Sequence, residues 1–518
     1  MDVVQQNLAT LAAGVILTVL LVSLVRRACR VPLPPGPRGW PIIGNVFDLP
    51  SRGDPIPWLE HKDAYGPISS VTVLGQTIVL LNDLKTNIDL LEKRSAIYSG
   101  RPIFPFAGEL VGWDQQMILA QYGDHFRTMR KLLKSYLGSA SAITNFCHIQ
   151  ELETRHFLAR ILDDPVNVIS HIRLTAGAIS LRISHGYTIE TEKADPLVNL
   201  VETAAKDFYV ATIPGAWLVD IFPIMKYLPE WMPFKRAAAI YRSHNVEQTE
   251  RPHDFVKNRM RAGAELPSFT SDMMNAGPDE ATVHAVKYAA TAIYGGGSDP
   301  AVAALSTFML LMILHPAVQK RARDELDFVV GTKRLPNFND RPRLPYLEAL
   351  MKEVMRWHVT GRIGIPHRAT QDDIFNGYHI PKDSIILPHM WNITRDPQLY
   401  SNPSEFHPER FLPKEGHTPE LDPKTYIFGF GRRACPGKDF ANANMFITIA
   451  MTLSVFEISR GKDENGMEIE PRCEFEGGTV SHPLPFAFSL KARSPEAEYL
   501  IRTVNDEAPR RPSDGPYL

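Results

Sequence analysis

One cysteine in a glycine-bounded loop has the clearest chemical meaning in this sequence. Residues 428–437 read FGFGRRACPG, and Cys435 follows Arg433 by two positions. Glycine lets the backbone approach a flat ligand where a Cβ would collide with it. A thiolate ligand pushes electron density toward haem iron and favours O–O cleavage over reversible oxygen binding. The loop therefore predicts a haem-thiolate site, with Cys435 as the axial ligand and oxidation by activated dioxygen as the chemistry.

The same loop fits the loose dinucleotide-binding pattern G-x-G-x-x-A, through Gly429, Gly431 and Ala434. That pattern binds a nucleotide when it follows a buried strand, opens a helix and precedes an acidic residue by about 20 positions. Residues 423–430 are not an apolar strand, and Pro436 interrupts the loop. The context therefore favours the haem interpretation.

Composition excludes several classes of protein. The chain has 518 residues and a net charge of −2, whereas a nucleic-acid-binding protein usually carries a basic stripe, so no nucleic-acid partner is expected. Its cysteines, at positions 29, 147, 435 and 473, are too scattered for a zinc site and too few for a disulfide scaffold. The core is then held by packing in a reducing compartment. Because no repeat or internal linker interrupts the chain, we expect one large α-rich globule.

The first 30 residues are typical of a membrane anchor. Residues 8–25 carry no charge and would span about 27 Å as a helix, close to the hydrocarbon thickness of a bilayer. Arg26, Arg27 and Arg30 follow this stretch and only Asp2 precedes it, which places the rest of the chain in the cytosol. A cleaved signal peptide would need a basic start and a small-residue cleavage site. We therefore predict a single-pass anchor at residues 1–30, in the endoplasmic reticulum membrane.

Two further segments bear on the membrane. Residues 31–45 are rich in proline, which fixes φ and favours a stiff, extended hinge before a catalytic domain at residues 46–518. Residues 213–234 are apolar and include Trp217, Phe222 and Trp231. Aromatic residues are enriched at membrane interfaces, so this stretch either dips into the interface or roofs a pocket.

A buried charge cluster is expected to support the cysteine loop. Glu353 and Arg356 are three residues apart in a predicted helix at residues 347–358, so they lie on one helical face. Residues 406–411, which read FHPERF, supply a second arginine, Arg410, between that helix and Cys435. A glutamate held between two arginines would fix the loop that carries the thiolate.

The order Glu353-x-x-Arg356, then Arg410 within Pro-Glu-Arg-Phe, then the Cys435 loop resembles the cytochrome P450 family over essentially the whole chain. The resemblance implies a mainly α fold with small β-sheets, forming a single large domain behind the N-terminal transmembrane helix. It implies haem b ligated by Cys435, and Glu353, Arg356 and Arg410 as a structural triad.

The resemblance also implies which residues hold the haem. In the family, an aromatic-x-x-x-Arg pair binds one haem propionate; here the pair is Phe126 and Arg130, with phenylalanine where tryptophan is commoner. His367 matches the basic residue that reaches the other propionate, and Arg433 matches the arginine before the thiolate. Charge-assisted bonds of this kind stabilise buried carboxylates. The expected cofactor-binding residues are Phe126, Arg130, His367, Phe428, Arg433 and Gly437.

The sequence departs from the family in the helix expected on the opposite side of the haem. Residues 289–309 predict a buried helix interrupted at residues 294–300, where the family has Gly-Gly-x-Asp/Glu-Thr and this chain has Gly296, Gly297, Asp299 and then Pro300. The family's threonine helps to deliver protons to oxygen. Proline cannot donate a hydrogen bond and should bend the helix, and Ser298 lies about 200° away around the axis. The expected catalytic residues are therefore Asp299, Gly296 and Gly297. We expect protons to reach oxygen through Asp299, water or a substrate hydroxyl, and some of the reducing equivalents to be lost as peroxide.

Substrate and partners follow from position and resemblance. An apolar pocket suits a lipophilic small molecule, and the Pro-His-Arg at residues 366–368 is similar to fungal enzymes of secondary metabolism, which implies a terpenoid or polyketide scaffold. Electrons would come from NADPH through NADPH–cytochrome P450 reductase, with cytochrome b5 as an optional second donor. The expected pocket walls are residues 102–119, 208–213, 295–299, 359–365 and 479–486, and the expected docking patch is Arg127, Lys131, Lys134, Arg432 and Lys438.

Three interpretations stay open. The leading one is a membrane-anchored monooxygenase that inserts one oxygen atom into a lipophilic metabolite. A haem-thiolate isomerase or dehydratase would need no reductant, and the missing threonine makes it less remote. A haem-based sensor or carrier, or a catalytically impaired haem-binding paralogue, would keep Cys435, Glu353, Arg356 and Arg410 for haem retention alone.

Overall fold

The computed structural model describes residues 31–50, 56–191, 193–416 and 418–518. The predicted anchor at residues 1–30 lies outside the described residues. Within them, the helix Glu280–Leu314 is the one candidate span that is long and apolar enough to cross a membrane, and 61% of its most apolar window is buried inside the protein.

Helices form most of the described chain. The nine that have 13 or more residues are α1 (Asp124–Leu137), α2 (Cys147–Asp163), α3 (Val168–His185), α4 (Pro196–Ala211), α5 (Pro233–Arg261), α6 (Glu280–Leu314), α7 (Pro316–Val329), α8 (Pro345–Trp357) and α9 (Lys438–Val455). Short helices lie at Ile56–Leu59, His61–Tyr65, Leu84–Asn87, Ser95–Tyr98, Ala140–Thr144, Leu218–Ile221, Phe269–Asn275, Met390–Thr394, Pro495–Arg502 and Val504–Glu507. The mainly helical class expected from the sequence is confirmed.

Three small sheets complete the fold. Strands β1 (Ile68–Val73), β2 (Gln76–Leu81), β3 (His367–Arg368) and β6 (Ile385–Pro388) form one sheet in the order β1-β2-β6-β3. In this sheet β2 and β6 run parallel, and the other pairs are antiparallel. Strands β4 (Asp373–Phe375) and β5 (Tyr378–Ile380) form an antiparallel pair, as do β7 (Phe456–Arg460) and β8 (Phe488–Ala492).

Helix α6 lies in the middle of the core. Its N-terminus is capped by Asp279, whose carboxylate accepts a hydrogen bond from the backbone N–H of Thr282 at 2.8 Å, a common way to satisfy a free helical donor. Its C-terminal half is buried on all sides, from Val302 to Ile313, against α2, α3, α8 and α9. A helix that is apolar all round must be buried in this way.

The predicted interruption of this helix is wrong, because α6 runs continuously through Pro300. Proline removes one backbone donor, while buried turns on both sides keep the helix in place. The hydroxyl of Ser298 donates to the carbonyl of Tyr294 at 3.0 Å, so it is engaged within the helix itself.

The proline-rich segment at residues 31–45 is bonded to the catalytic body. The carbonyls of Pro34 and Pro35 accept hydrogen bonds from the hydroxyl and backbone N–H of Ser70 at 2.6 and 2.8 Å. A Cβ at Gly36 would lie 1.8 Å from the Ser70 carbonyl oxygen, so only glycine allows this approach. The segment therefore lies against the edge strand β1.

Candidate active site

The Cys435 loop is fixed by backbone contacts before α9 begins. Gly429 and Gly431 have φ of 80° and 52°, a region that favours glycine. A Cβ at Gly431 would be 2.3 Å from the carbonyl oxygen of Leu91. The backbone N–H of Cys435 donates to the carbonyl of Phe428 at 2.7 Å. Position 435 is therefore set by the loop's backbone, with Gly437 as the N-cap of α9.

The environment of the thiol suits an anionic ligand. Protein atoms surround Cys435, yet its side chain is accessible, so the thiol faces an interior space. Burial raises the pKa of the thiol above its usual value, and the backbone N–H of Gly437 and the charges of Arg130 and Lys438 oppose this rise, as iron would when bound. The N-terminus of α9 follows directly, and helix N-termini favour negative charge. We call the side of the molecule that carries this loop the proximal side.

A buried network of charged side chains supports the Cys435 loop on the proximal side. Glu353 and Arg356 are completely buried, and the guanidinium donates to the carboxylate in bidentate form at 2.7 and 2.8 Å. Arg410, 3% exposed, donates to the same carboxylate at 3.2 Å, and the backbone N–H of His407 donates at 2.7 Å. The three expected triad residues thus meet in one place, where each oxygen of Glu353 has a donor.

The network extends toward the cysteine loop. Arg356 also donates to the carbonyls of Thr394 and Pro403, at 2.9 and 2.7 Å. The hydroxyls of Tyr400 and Tyr426 are 2.8 Å apart, and Tyr426 lies nine residues before Cys435. Charged and polar contacts therefore run from α8 to the segment that presents the thiol.

Three arginines form a cluster beside the thiol, which we call the arginine cluster: Arg101, Arg130 and Arg433. Burial lowers the pKa of all three guanidinium groups, and that of Arg433 falls to about 10. The charge of Arg433 further lowers the pKa of Arg101, and the charge of Arg130 further lowers that of Arg433. Within the part of the chain that the structure describes, none of them forms an ion pair with a carboxylate. Desolvated cations without a counter-charge are costly, so the cluster fits an anionic group such as the haem carboxylates.

Individual contacts show how the cluster is oriented. Arg130 donates to the carbonyl of Ala434 at 2.5 Å. Arg433 donates to the carbonyls of Ser99 and Ala120, at 2.9 and 2.8 Å, and its Nη1 has no partner among the described residues. The Arg433 guanidinium lies over the ring of Phe126 at 3.8 Å, which explains an aromatic residue at position 126.

Sequence reasoning missed Arg101. It is 5% exposed, donates to the carbonyls of Ile365 and Pro366 at 2.9 and 2.7 Å, and its Nε is unpartnered in the described structure. The only signal was a single arginine before an apolar stretch at residues 102–111, which is too common to be specific. Its significance depends on the charge of Arg433, more than 300 positions away, which lowers the pKa of Arg101 in addition to burial.

His367 is less suited to the expected propionate contact. Burial first, then the charges of Arg101 and Arg433, hold the pKa of His367 well below its usual range. The neutral ring is 2.7 Å, through Nδ1, from the carbonyl of Tyr98, so Nδ1 carries the proton and Nε2 is left as an acceptor. Arg101, which contacts the residue preceding His367, supplies permanent charge at this position instead.

The opposite, or distal, side is formed by the middle of α6. A Cβ at Gly295 or Gly296 would meet nothing within 4 Å, whereas a Cβ at Gly297 would be 3.1 Å from the hydroxyl of Ser180 on α3. Gly296 is exposed although the helix on either side is buried. Asp299 Oδ1 lies 3.0 Å from Nε2 of His482, a pairing that the sequence did not indicate.

The expected pocket walls contact each other in several places. The rings of Trp113 and Phe208 have centroids 4.6 Å apart. A Cβ at Gly478 would be 2.7 Å from the ring of Tyr209 on α4. Residues 359–365 carry mostly half-buried side chains. These contacts bring the end of α4 together with residues 102–119 on one side and with the chain just before residues 479–486 on the other.

The stretch at residues 213–234 faces in both directions. Trp217 stacks on the buried ring of Phe106 with centroids 3.6 Å apart. Phe222, Ile224 and Trp231 are exposed by 56%, 78% and 65%. The stretch therefore packs against one wall of the pocket region and also presents an apolar outer surface. Covering the pocket and contacting a membrane interface, the two alternatives given by the sequence, are compatible. The five residues of the expected docking patch, Arg127, Lys131, Lys134, Arg432 and Lys438, are all exposed.

Comparison with known proteins agrees with this geometry. The cytochrome P450 family model matches residues 34–489. Cytochrome P450 monooxygenase claR of Ampulloclitocybe clavipes is 56% identical, over 98% of this chain and 95% of the relative. Cytochrome P450 monooxygenase 208 of Postia placenta is 43% identical, over 94% and 97%. O-methylsterigmatocystin oxidoreductase of Aspergillus flavus is 36% identical, over 97% and 96%.

These matches cover the cysteine loop, the triad and α6 together. The family implies a haem-thiolate cofactor, a small-molecule substrate and a redox partner, and the relatives carry the name of monooxygenase. The chain therefore belongs to the cytochrome P450 family, as a monooxygenase.

Proposed function

We propose that this protein is a membrane-anchored monooxygenase that oxidises a lipophilic secondary metabolite with a terpenoid or polyketide-like scaffold. The reaction consumes one O2, one NADPH and one proton; one oxygen atom enters the substrate and the other leaves as water. The observation that carries the proposal is the accessible thiol of Cys435 beside an arginine cluster that has no carboxylate partner among the described residues. Bound haem would supply the activation of dioxygen.

The proposed roles follow the contacts. The Cys435 sulfur would bind iron as a thiolate, and Arg130, Arg433 and Arg101 would hold the haem carboxylates. Phe126 holds Arg433 by its ring, and Phe428 fixes the backbone of Cys435. The triad keeps this assembly in place from the proximal side.

Proton supply is proposed for the distal side. Asp299 is the acidic group of α6 at the position where the family carries its acid, and Pro300 offers no hydroxyl. Open space at Gly295 and Gly296 allows water or substrate to approach the helix. Asp299 and ordered water would then carry protons toward the distal space, and a share of the reducing equivalents would be lost as peroxide where this supply is slow.

A lipophilic substrate is supported by the aromatic and apolar walls. Trp113 and Phe208 pack together, and the neighbouring positions 359–365 are only half-buried. A site lined in this way orients a ligand with few polar contacts. The relative named as O-methylsterigmatocystin oxidoreductase aligns with almost the whole chain. This supports a substrate similar in size to the compound in that name.

Membrane attachment would place the enzyme beside such a substrate. The uncharged stretch at residues 8–25 is the proposed anchor in the endoplasmic reticulum membrane, and the exposed Phe222, Ile224 and Trp231 would contact the lipid interface. Reductase would dock on the basic patch around α1 and the cysteine loop. Raising ionic strength should then slow reductase-supported turnover, because salt screens exposed charges; indifference to salt contradicts this docking surface.

The decisive experiment is expression beside a fungal reductase in yeast microsomes, with Cys435→Ser as the control. We expect a reduced carbon-monoxide band typical of thiolate ligation, absent from the control, and oxygenated products that need both NADPH and O2. Product formed without NADPH would establish the isomerase or dehydratase alternative. An intact spectrum without product, across a panel of terpenoids and polyketides, would indicate an impaired paralogue.

A further inference from the structure

A loop at residues 473–486, which we call the crossing loop, connects the end of α8 with the middle of α6. The ring of Phe475 stacks on His358 with centroids 3.6 Å apart. The backbone N–H of Ser481 donates to the carbonyl of Thr360 at 2.8 Å, and the carbonyl of Ser481 lies 3.2 Å from Nε2 of His358. These contacts fix the crossing loop to the end of α8, one residue before His482.

His482 makes the contact with α6. Its Nε2 lies 3.0 Å from Oδ1 of Asp299, and its carbonyl accepts from the N–H of Glu476 at 2.8 Å. The imidazole retains 19% of its side-chain surface and Asp299 retains 39%. The pair is therefore fixed by the loop on one side and accessible on the other.

The residues of α6 around Asp299 offer few alternative proton donors. Pro300 has neither an N–H nor a hydroxyl. The hydroxyl of Ser298 donates within the helix to Tyr294. Beside Asp299, His482 is then the titratable group in direct contact, and histidine is the side chain suited to exchange protons near neutral pH.

We propose that His482 is a proton donor to Asp299, so that a histidine–aspartate pair performs the proton relay for which the family uses an alcohol. The inference rests on the proposed monooxygenase function and on the role given there to Asp299. His482 is a positioning and relay residue, because it acts on oxygen only through Asp299.

The relay is balanced in protons and moves no electrons. The imidazolium of His482 gives its Nε2 proton to Oδ1 of Asp299, and the neutral ring keeps its other proton on Nδ1. Because the imidazole is partly exposed, water then returns a proton to the vacant Nε2 and restores the imidazolium. Asp299 releases its proton toward the distal space and returns to the carboxylate. Two such cycles supply the two protons that reduction of one oxygen atom to water requires.

Two substitutions separate relay from anchoring. His482→Gln keeps an N–H donor for Asp299 but cannot exchange a proton, and His482→Ala removes both. We expect both variants to form about three- to tenfold less product per NADPH and more peroxide, because water replaces the relay inefficiently. Hydrogen exchange of residues 473–486 in the unliganded protein should rise only in the alanine variant.

The matched control is His379→Ala, since His379 forms a comparable ion pair with Asp372 at 3.1 Å on another part of the surface. This control should leave product per NADPH unchanged. If His482→Gln also has normal coupling while the alanine variant does not, the pair is only an anchor and the relay is disproved.

A double variant gives an independent readout. In a Pro300→Thr background the alcohol is restored, so His482→Gln should cost less coupling than it does alone. Equal cost in both backgrounds contradicts the proposal. If Asp299→Asn has normal coupling, the role proposed above for Asp299 fails; if it is impaired and His482→Gln is not, only the histidine assignment fails.

Discussion

The proximal and distal sides of the proposed haem site are built in opposite ways. On the proximal side, the buried carboxylate of Glu353 accepts from the buried Arg356 and Arg410 and from the backbone N–H of His407. On the distal side, the middle of α6 has open space beside Gly295 and Gly296, a proline within the helix and one partly exposed contact between Asp299 and His482. The difference teaches that the thiolate position is fixed by many redundant contacts, whereas the oxygen side depends on few.

The strongest test of this contrast is Glu353→Gln. It leaves Arg356 buried without its counter-charge, while Arg410 keeps its ion pair with Glu420 at 2.7 Å, and breaking a buried pair costs about 3–5 kcal/mol. We expect most of the protein to lose its thiolate spectrum and its cooperative thermal transition. Glu457→Gln is the matched control: Glu457 also precedes an arginine by three positions, but it is exposed and 4.0 Å from Arg323, so it should cost less than about 1 kcal/mol. Similar losses in both would contradict the proximal assignment.

Acid should loosen the distal side first. Burial lowers the pKa of His358 to about 3, so the closed loop keeps the ring neutral while an opened loop lets it take up a proton near its usual pKa of about 6.5. Opening therefore becomes easier as the pH falls below 6.5 and is pH-independent above it. Between pH 6.5 and 5, local opening of residues 473–486 should increase about 16-fold.

The measurement is hydrogen exchange of this loop, corrected for the intrinsic pH dependence. His358→Phe keeps a ring for stacking on Phe475 but cannot titrate, so its opening should not vary over that range. A wild-type loop with the same protection at both pH values would show that His358 stays buried when the loop opens.

The arginine cluster offers a test of intermediate size. Arg433→Ala removes a desolvated donor, and haem should dissociate at least about tenfold faster, since one charge-assisted bond is worth roughly 1.5–3 kcal/mol. Transfer of haem to apomyoglobin measures the rate. Arg432→Ala is the control, because Arg432 is exposed and lies over Tyr122 at 4.9 Å; equal rates in the two variants would remove Arg433 from the haem site.

The smallest effect is expected from Pro300→Thr on the distal side. Threonine restores an alcohol beside Asp299 and a backbone N–H for the carbonyl of Gly296. Product per NADPH should rise roughly twofold, because general acid groups already present carry part of the proton flow. No gain in coupling would remove the idea that the proline limits proton supply.

Local chemistry made the proximal side readable from the sequence. The glycines of the Cys435 loop are expected because only glycine lets the backbone approach a flat ligand so closely. The spacing of three residues is enough to place Glu353 and Arg356 on one helical face. Their roles as a metal ligand and a triad remain predictions, but the structure brings the triad together. The helix at residues 347–358 was also placed within two residues of the observed Pro345–Trp357.

Long-range contacts could not be read in this way. The pairing of Asp299 with His482 joins positions far apart in the chain, and Arg101 gains meaning only beside Arg433. The predicted interruption of α6 is wrong because proline propensity alone does not include the packing that holds both halves of the helix. Local propensity is overridden here by mostly buried residues at 289–294 and 302–313, on either side of the partly exposed segment that contains Pro300.

The attachment of residues 34–36 to β1 has a mechanical consequence. Ser70 binds two carbonyls of this segment, and Gly36 packs directly against the strand. A tether that joins the chain before residue 31 would therefore have little freedom to move relative to the catalytic body. Any force or torque on that tether would pass straight into the four-stranded sheet, and the tilt of the whole body would be set there.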